Sequence, residues 1–375
     1  MDMGEKKSAY LNIGVICAII LTFMIADLMM GDRLYSETEN RMLASRPKFS
    51  LEALLDGSYT ADYEAYVTDQ FVSRDKWVSI KTRTEILLGK TEVNGVYLGA
   101  RDYLIEQHLP QAYPEELIED KLKLLNMPVE KWDAKVMLIP TADNIISDKL
   151  PAYAPYFDQR MFLDRVREYV GEDHYIEVYD KLAEHSQEYI YYQTDHHWTT
   201  LGAYYGYHAW AEDMGEEPFA YNLLGMERAS ENFRGTLHSK TNLGKARDTL
   251  LYFPETEERP VSLIYDKTIK RERYYEEKYL DTKNQYGFFL DDNHALVEIQ
   301  TGYENGRTLF VIKDSYANCF IPLLTPHYER IYVLDPRYFN GKLEALLRAC
   351  EPENGMEVLI LYNCIHFLED FDYYE

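Results

Sequence analysis

The chain opens on an apolar run, "LNIGVICAIILTFMIADLMM" (11–30), whose strongly polar residues, Asn12 and Asp27, sit near its ends. Twenty residues at helical rise span about 30 Å, the thickness of a bilayer's hydrocarbon core. The pattern predicts a transmembrane helix, because a core helix this apolar would need cover on every side. A polar stretch with Pro47, "GDRLYSETENRMLASRPKFS" (31–50), predicts an extended linker. From Leu51 to Leu88, Tyr63, Tyr66, Phe71, Trp77, Ile80 and Ile86 recur at loosely helical intervals up to Gly89, which predicts one long helix. "GVYLGARDYLIE" (95–106) then reads as a hairpin of two short strands.

Short β-branched runs follow: "AKVMLI" (134–139), "YIEV" (175–178), "TLFVI" (308–312), "IYVL" (331–334) and "EVLIL" (357–361). Continuous apolar runs of this length suit parallel strands buried on both faces. Amphipathic helical stretches at 115–125, 158–170, 201–212 and 342–348 alternate with them. The alternation predicts an α/β fold, a three-layer αβα parallel sheet with its ligand site at the C-terminal ends of the strands. Residues 221–300, rich in Tyr, Glu, Lys and Arg, interrupt it and read as a β-rich antiparallel insertion lying on the sheet. "FLEDFDYYE" (367–375) reads as a solvated tail. The expected organisation is a cytoplasmic N-terminus (1–10), the membrane helix (11–30), the linker (31–50) and an extracytoplasmic domain (51–375) carrying the 221–300 insertion.

Charge sharpens this picture. Sixty-four acidic residues against 39 basic ones leave a net charge of −25, the wrong field for phosphate backbones, so nucleic acid is excluded as a partner. Lys6 and Lys7 precede the apolar run, the next basic residue is Arg33, and no small-residue cleavage pattern ends it. This predicts an uncleaved signal anchor in the cell membrane with everything from Gly31 outside. Cys17 lies in the run, and Cys319, Cys350 and Cys364 are far apart. They form no disulfide framework and read as plain buried thiols, with one pair still open.

Two blocks carry candidate chemistry. In "LFVIKDSYANCF" (309–320) a buried strand ends at Lys313 and a helical turn follows. Ser315 there can be a nucleophile beside free backbone N–H groups, or Asp314 or Ser315 can simply cap the turn. In "YYQTDHHWTTLGAYYGYHAW" (191–210), Asp195 and His197 are two apart, which points both side chains one way in an extended segment. A serine nucleophile needs an imidazole base, and that base needs a carboxylate to fix its tautomer. Three readings stand for this block: half of a catalytic triad, a capped helix start with structural histidines, or a metal site on Asp195, His196 and His197. Adjacent side chains diverge and no second ligand cluster has a familiar spacing, which counts against the metal. No cofactor is expected. Weaker candidates are Asn318, which could reach back toward an oxyanion site, Arg337 at the sheet edge, and Asn293 at a turn. The 34 tyrosines offer flat faces suited to carbohydrate, although packing is the ordinary use of the ring.

"YYQTDHHWTTLGAYYGY" closely resembles the signature of the DHHW-motif family of bacterial surface proteins. "SETENRMLASRP", "YLGARDYLIE", "FRGTLHSKT" and "FVIKDSYANCF…HYERIYVLDPRYF" fit the same family, so that the resemblance runs from about Tyr35 to the C-terminus. That family is more distantly similar to SGNH-hydrolase-like proteins that O-acetylate alginate, in which an Asp-x-His motif precedes the serine. The resemblance implies Asp195 as orienting carboxylate, His197 as base and Ser315 as nucleophile. Lys313-Asp314 departs from the esterase "GDS" block, its glycine being replaced. The implied activity is O-acyl transfer to, or ester hydrolysis on, a cell-surface glycan. A multispanning membrane acyltransferase is the implied source of acyl groups, since no acetyl-coenzyme A exists outside the membrane. The alternative is a non-enzymatic envelope protein that binds a glycan or partner through the same cleft.

Overall fold

The computed structural model describes residues 3–36, 41–243, 245–255 and 261–374, and the chain divides into two compact units, 1–90 with 241–243, and 91–240 with 244–375. In the first, a helix runs from Met3 to Met29. Among the described residues no helix is long and apolar enough to cross a membrane. The side chains of the expected cytoplasmic stretch, up to residue 9, lie outside the described ones. The single helix expected over Leu51–Leu88 is three, Leu51–Leu55, Ser58–Gln70 and Arg74–Leu87. The breaks fall at Gly57 (φ 86°) and Ser73 (φ 56°), whose left-handed backbone cannot continue a right-handed helix.

The second unit is built on a seven-stranded sheet. Its strands are β1 (Lys135–Ile139), β2 (Val261–Tyr265), β3 (Ile269–Arg271), β4 (Leu296–Thr301), β5 (Thr308–Lys313), β6 (Arg330–Leu334) and β7 (Glu357–Asn363), in the order β3-β2-β4-β6-β5-β7-β1. Strands β6, β5, β7 and β1 are parallel, with Val311 of β5 opposite Val333 and Leu359. The sheet is therefore mixed, not wholly parallel as expected, because β2, β3 and β4 add to it antiparallel. Those three strands come from 221–300. The segment is less an insertion lying on the sheet than its continuation beyond β6, and among its described residues only the pair Glu227–Phe233 and Asp248–Tyr252 forms a separate sheet.

Side chains alternate across the strands and fill two cores. Met137, Val311, Val333 and Leu359 pack with the helix Thr200–Met214 on one face. Val136, Phe310, Ile312 and Ile360 pack with Glu115–Lys123, Gln159–Val170 and Leu343–Cys350 on the other, which gives the three layers. The segment expected as a strand at 175–178 makes only one bridge, Tyr175 to Val136, because the helix Tyr179–Glu184 begins at once. The C-terminal stretch is not a free tail either: helix Cys364–Glu369 docks, and Phe371 is fully buried. All four cysteines are free thiols.

Candidate active site

Strand β5 ends at the C-terminal edge of the parallel strands, and a 3₁₀ turn, Ser315–Cys319, follows directly. Asp314 caps it, its carboxylate accepting from the Tyr316 N–H (3.0 Å). The expected cap and the expected nucleophile are thus two adjacent residues, and Ser315 is left to make another bond. His197 Nε2 lies 2.8 Å from its Oγ, although 118 residues separate the two in sequence. His197 Nδ1 is 2.5 Å from Asp195 Oδ1. An ionised carboxylate only accepts, so Nδ1 carries the proton, and Nε2 presents a lone pair to the serine hydroxyl.

The loop that holds this pair is not extended. It is the tip of a tight reversal in which Tyr191 bridges Trp198 and Asp195 Oδ1 also accepts the His197 N–H (3.0 Å), an Asx turn. The two side chains meet because the chain bends there, not because a strand alternates. Asp195 Oδ2 accepts from the Thr236 N–H (2.9 Å) and hydroxyl (3.2 Å). Burial pushes the Asp195 carboxyl up, but the two histidines and these hydrogen bonds outweigh it and hold it far below the usual carboxylate range. Asp248, fully buried, anchors the approach to the loop by accepting from the Gln193 (2.7 Å) and Thr194 (2.8 Å) N–H groups. On the far side Thr199 caps the helix Thr200–Met214, and Gly206 lets that helix sit on Trp198, whose ring a Cβ would meet at 2.8 Å. The Trp198 indole N–H donates to the Tyr316 carbonyl (2.8 Å), which ties the loop to the serine turn.

His197 lies between two rings. Tyr286 stacks on it at 3.8 Å and 11°, and its hydroxyl donates to the Ser315 carbonyl (3.2 Å). On the other side His196 stands 3.9 Å away, so the adjacent side chains do not diverge as expected. Nitrogen and oxygen atoms of Asp195, His196 and His197 fall within 4.8 Å of one another, near enough to hold an ion. Of the four ring nitrogens, three already have other partners, as has the carboxylate. Asp195 takes His197 Nδ1, Ser315 takes His197 Nε2, and His196 Nδ1 bonds the Thr236 hydroxyl at 2.7 Å. The donor set therefore favours proton transfer over metal binding.

The weaker candidates have other work. Asn318 is buried, and its amide N–H₂ donates to Asn293 Oδ1 (3.2 Å); that oxygen also accepts from Lys313 Nζ (3.0 Å). This fixes the Asn318 donor toward Asn293 instead of an oxyanion at Ser315. Arg337 is spent in a two-pronged bond to Asp335, at 2.9 and 2.7 Å, a geometry that leaves it structural. Residues not anticipated are Tyr286, Thr236, Asp248 and His366. Thr236 lies in the quoted block "FRGTLHSKT", the one available signal, while nothing in the sequence distinguishes Tyr286 from 33 other tyrosines.

Fold and site together define a mixed α/β protein with an aspartate–histidine–serine hydrogen-bond chain at the C-terminal ends of its parallel strands. A model of the DHHW protein family matches residues 126–334, more than half of the sequence, and the chain belongs to that family. Its structure is similar to that of a DHHW family protein from Eubacterium siraeum (23% identity, TM-score 0.62, covering 74% of this chain and 93% of that one). It is similar also to Bacillus cereus PatB1 (19% identity, TM-score 0.58, covering 72% and 98%), a protein also solved with a sulfonyl adduct. At these identities the likeness is one of fold. No curated protein matches the sequence.

Proposed function

We propose that this chain is a serine-dependent O-acyltransferase or esterase of the SGNH-hydrolase-like type, acting on acetyl groups of a cell-surface polysaccharide. The observation that carries the reading is the unbroken hydrogen-bond chain Asp195–His197–Ser315. In it, His197 Nε2 takes the Ser315 proton as Oγ attacks the acyl carbonyl. The tetrahedral intermediate collapses, the donor's oxygen leaves with the proton from His197, and an acyl-serine remains. A sugar hydroxyl or water then gives its proton to His197 and attacks the acyl carbon, and Ser315 leaves reprotonated. The extracytoplasmic placement is taken from the resemblance to bacterial surface proteins, since no helix among the described residues is long and apolar enough to cross a membrane; a transferase placed there draws its acyl groups from a membrane acyltransferase.

The test uses the full-length chain and p-nitrophenyl acetate. Replacing Ser315 by Ala, or His197 by Ala, is expected to lower kcat/KM by about 10³-fold or more, the scale on which triad members matter. A sulfonyl fluoride is expected to modify Ser315 in the wild type, seen by peptide mass mapping. Equal rates in wild type and Ser315→Ala, with no labelling, would leave a non-enzymatic envelope protein. Protease treatment of intact cells tests the placement, since a domain inside the cytoplasm survives it.

A further inference from the structure

Beside the triad lies a cavity of about 370 Å³ that the chemistry above does not use. Its lining includes His196 and Tyr316 but neither Ser315 nor His197, so it abuts the triad through the residues next to each. Most charges around it are already paired. Lys240 bonds Glu106, His108 bonds Asp143 at 2.9 Å, and the Tyr113 hydroxyl donates to Glu369 at 2.9 Å. A cavity whose charges neutralise one another offers little to an ion and suits a neutral, hydroxyl-rich ligand. Leu109 and Ala112, accessible in its lining, and the edge of Tyr113 supply apolar contact for C–H groups.

Two nitrogens in this wall lack a protein partner among the described residues. Thr236 gives its hydroxyl proton to Asp195, so it accepts from His196 Nδ1–H, and His196 Nε2 is left as a lone pair. Burial and the neighbouring His197 pull the His196 imidazole down to about 3, which keeps it neutral. His366 Nδ1 lies 2.6 Å from Asp314 Oδ2, and its Nε2 has no protein partner among the described residues. Burial pulls His366 down, but the bond to Asp314 and its charge raise the imidazole above its ordinary value, which favours the form that presents Nε2–H as a donor. Both rings line the same cavity with their centroids 5.7 Å apart, near enough for one sugar residue to meet both. Asp314 joins the two sites, since it precedes Ser315 and holds His366.

We propose that this cavity binds a sugar residue of the glycan, with its hydroxyls held by His196 Nε2 and His366 Nε2. The assignment takes its catalytic meaning from the serine reading but is tested without turnover. Saturation-transfer NMR on the full-length protein with cellobiose and with chitobiose as probes is expected to show binding of at least one disaccharide. The imidazole resonances of His196 and His366 should shift while those of His174, outside the cavity, stay. Ala112, exposed in the lining, can carry a larger side chain without disturbing the core, and Ala112→Trp is expected to abolish binding. His366→Phe is expected to weaken it at least tenfold, with thermal unfolding checked for both variants. No transfer to either sugar, or binding that survives both substitutions, would overturn the proposal. Binding by a protein whose ester hydrolysis ignores Ser315→Ala keeps the cavity and removes the serine chemistry. Ser315-dependent hydrolysis without sugar binding removes the cavity assignment alone.

Discussion

Asp195 is positioned by a residue with no side chain. A Cβ built on Gly235 would stand 2.1 Å from Asp195 Oδ2 and 2.3 Å from its Cβ. The second distance matters more, because a carboxylate can rotate away but its Cβ follows the backbone. Gly235→Ala must therefore shift the loop that carries Asp195 and His197, or the segment that carries Thr236. A shift of about 1 Å in a catalytic constellation costs on the order of 10²-fold in rate. The expected outcome is a loss of that size in kcat for p-nitrophenyl acetate with KM little changed, and steady-state kinetics check it. Thr236→Ser, which retains the hydroxyl between His196 and Asp195, is expected to stay near wild type. The three residues were legible as candidates from their types and from the resemblance, but not the reason they meet: the spacing argument assumed an extended segment, and Asp195 and His197 come together through a turn. Their supports were not legible. Gly235, Thr236, Tyr286 and His366 act through position, and position depends on which distant segments the fold brings together.

At the scale of elements, the end of β5 sends three consecutive residues to three destinations. Lys313 reaches Asp335 Oδ2 (3.2 Å) and Asn293 beyond β6, Asp314 reaches His366 after β7, and Ser315 reaches His197. Strands buried on both faces, such as β5 and β7, read directly as apolar runs. Strand β4 does not, since Val297 and Ile299 are buried while Glu298 and Gln300 are less so, and half an apolar pattern looks like a surface hairpin. That is why 221–300 was expected as an excursion and became three strands of the sheet. The buried cluster at the strand ends also makes a prediction. Asp335 is fully buried and accepts from both Lys313 and Arg337; removing it leaves two cationic side chains without their shared anion. Asp335→Ala is expected to cost about 3–5 kcal/mol, measured as a fall in the denaturant midpoint, and to misplace Ser315. Arg337→Ala, which leaves the Lys313–Asp335 pair intact, is expected to cost less.

Across the whole molecule the buried histidine–carboxylate pairs set how stability changes with pH. His108 on Asp143 and His366 on Asp314 are both raised above the ordinary imidazole value; burial opposes the charge in each, and the carboxylate partner outweighs it. A raised value means that the folded protein holds these protons more tightly than the unfolded chain. The stabilisation is complete below about pH 6.5 and is lost as pH rises through the folded values. Asp314 works in the opposite sense, lowered below 3.8 by His366 despite its burial, so its contribution is lost in acid. The unfolding midpoint is therefore expected to be highest near pH 6.5: toward about pH 4 it falls because the buried His196 imidazole, held at about 3, is charged only in the unfolded chain, and toward about pH 8 and above it falls as the two pairs lose their protons. A net charge of −25 predicts a decline in the same direction, because losing histidine protons adds to the repulsion. Salt separates the two causes: about 0.5 M screens charges at the surface and leaves buried pairs largely unscreened. A fall in Tm between pH 6 and 8.5 that persists at that salt, and shrinks in His366→Gln, assigns it to the pairs. A fall that salt abolishes assigns it to net charge, and the buried pairs then hold no excess protons in the folded state.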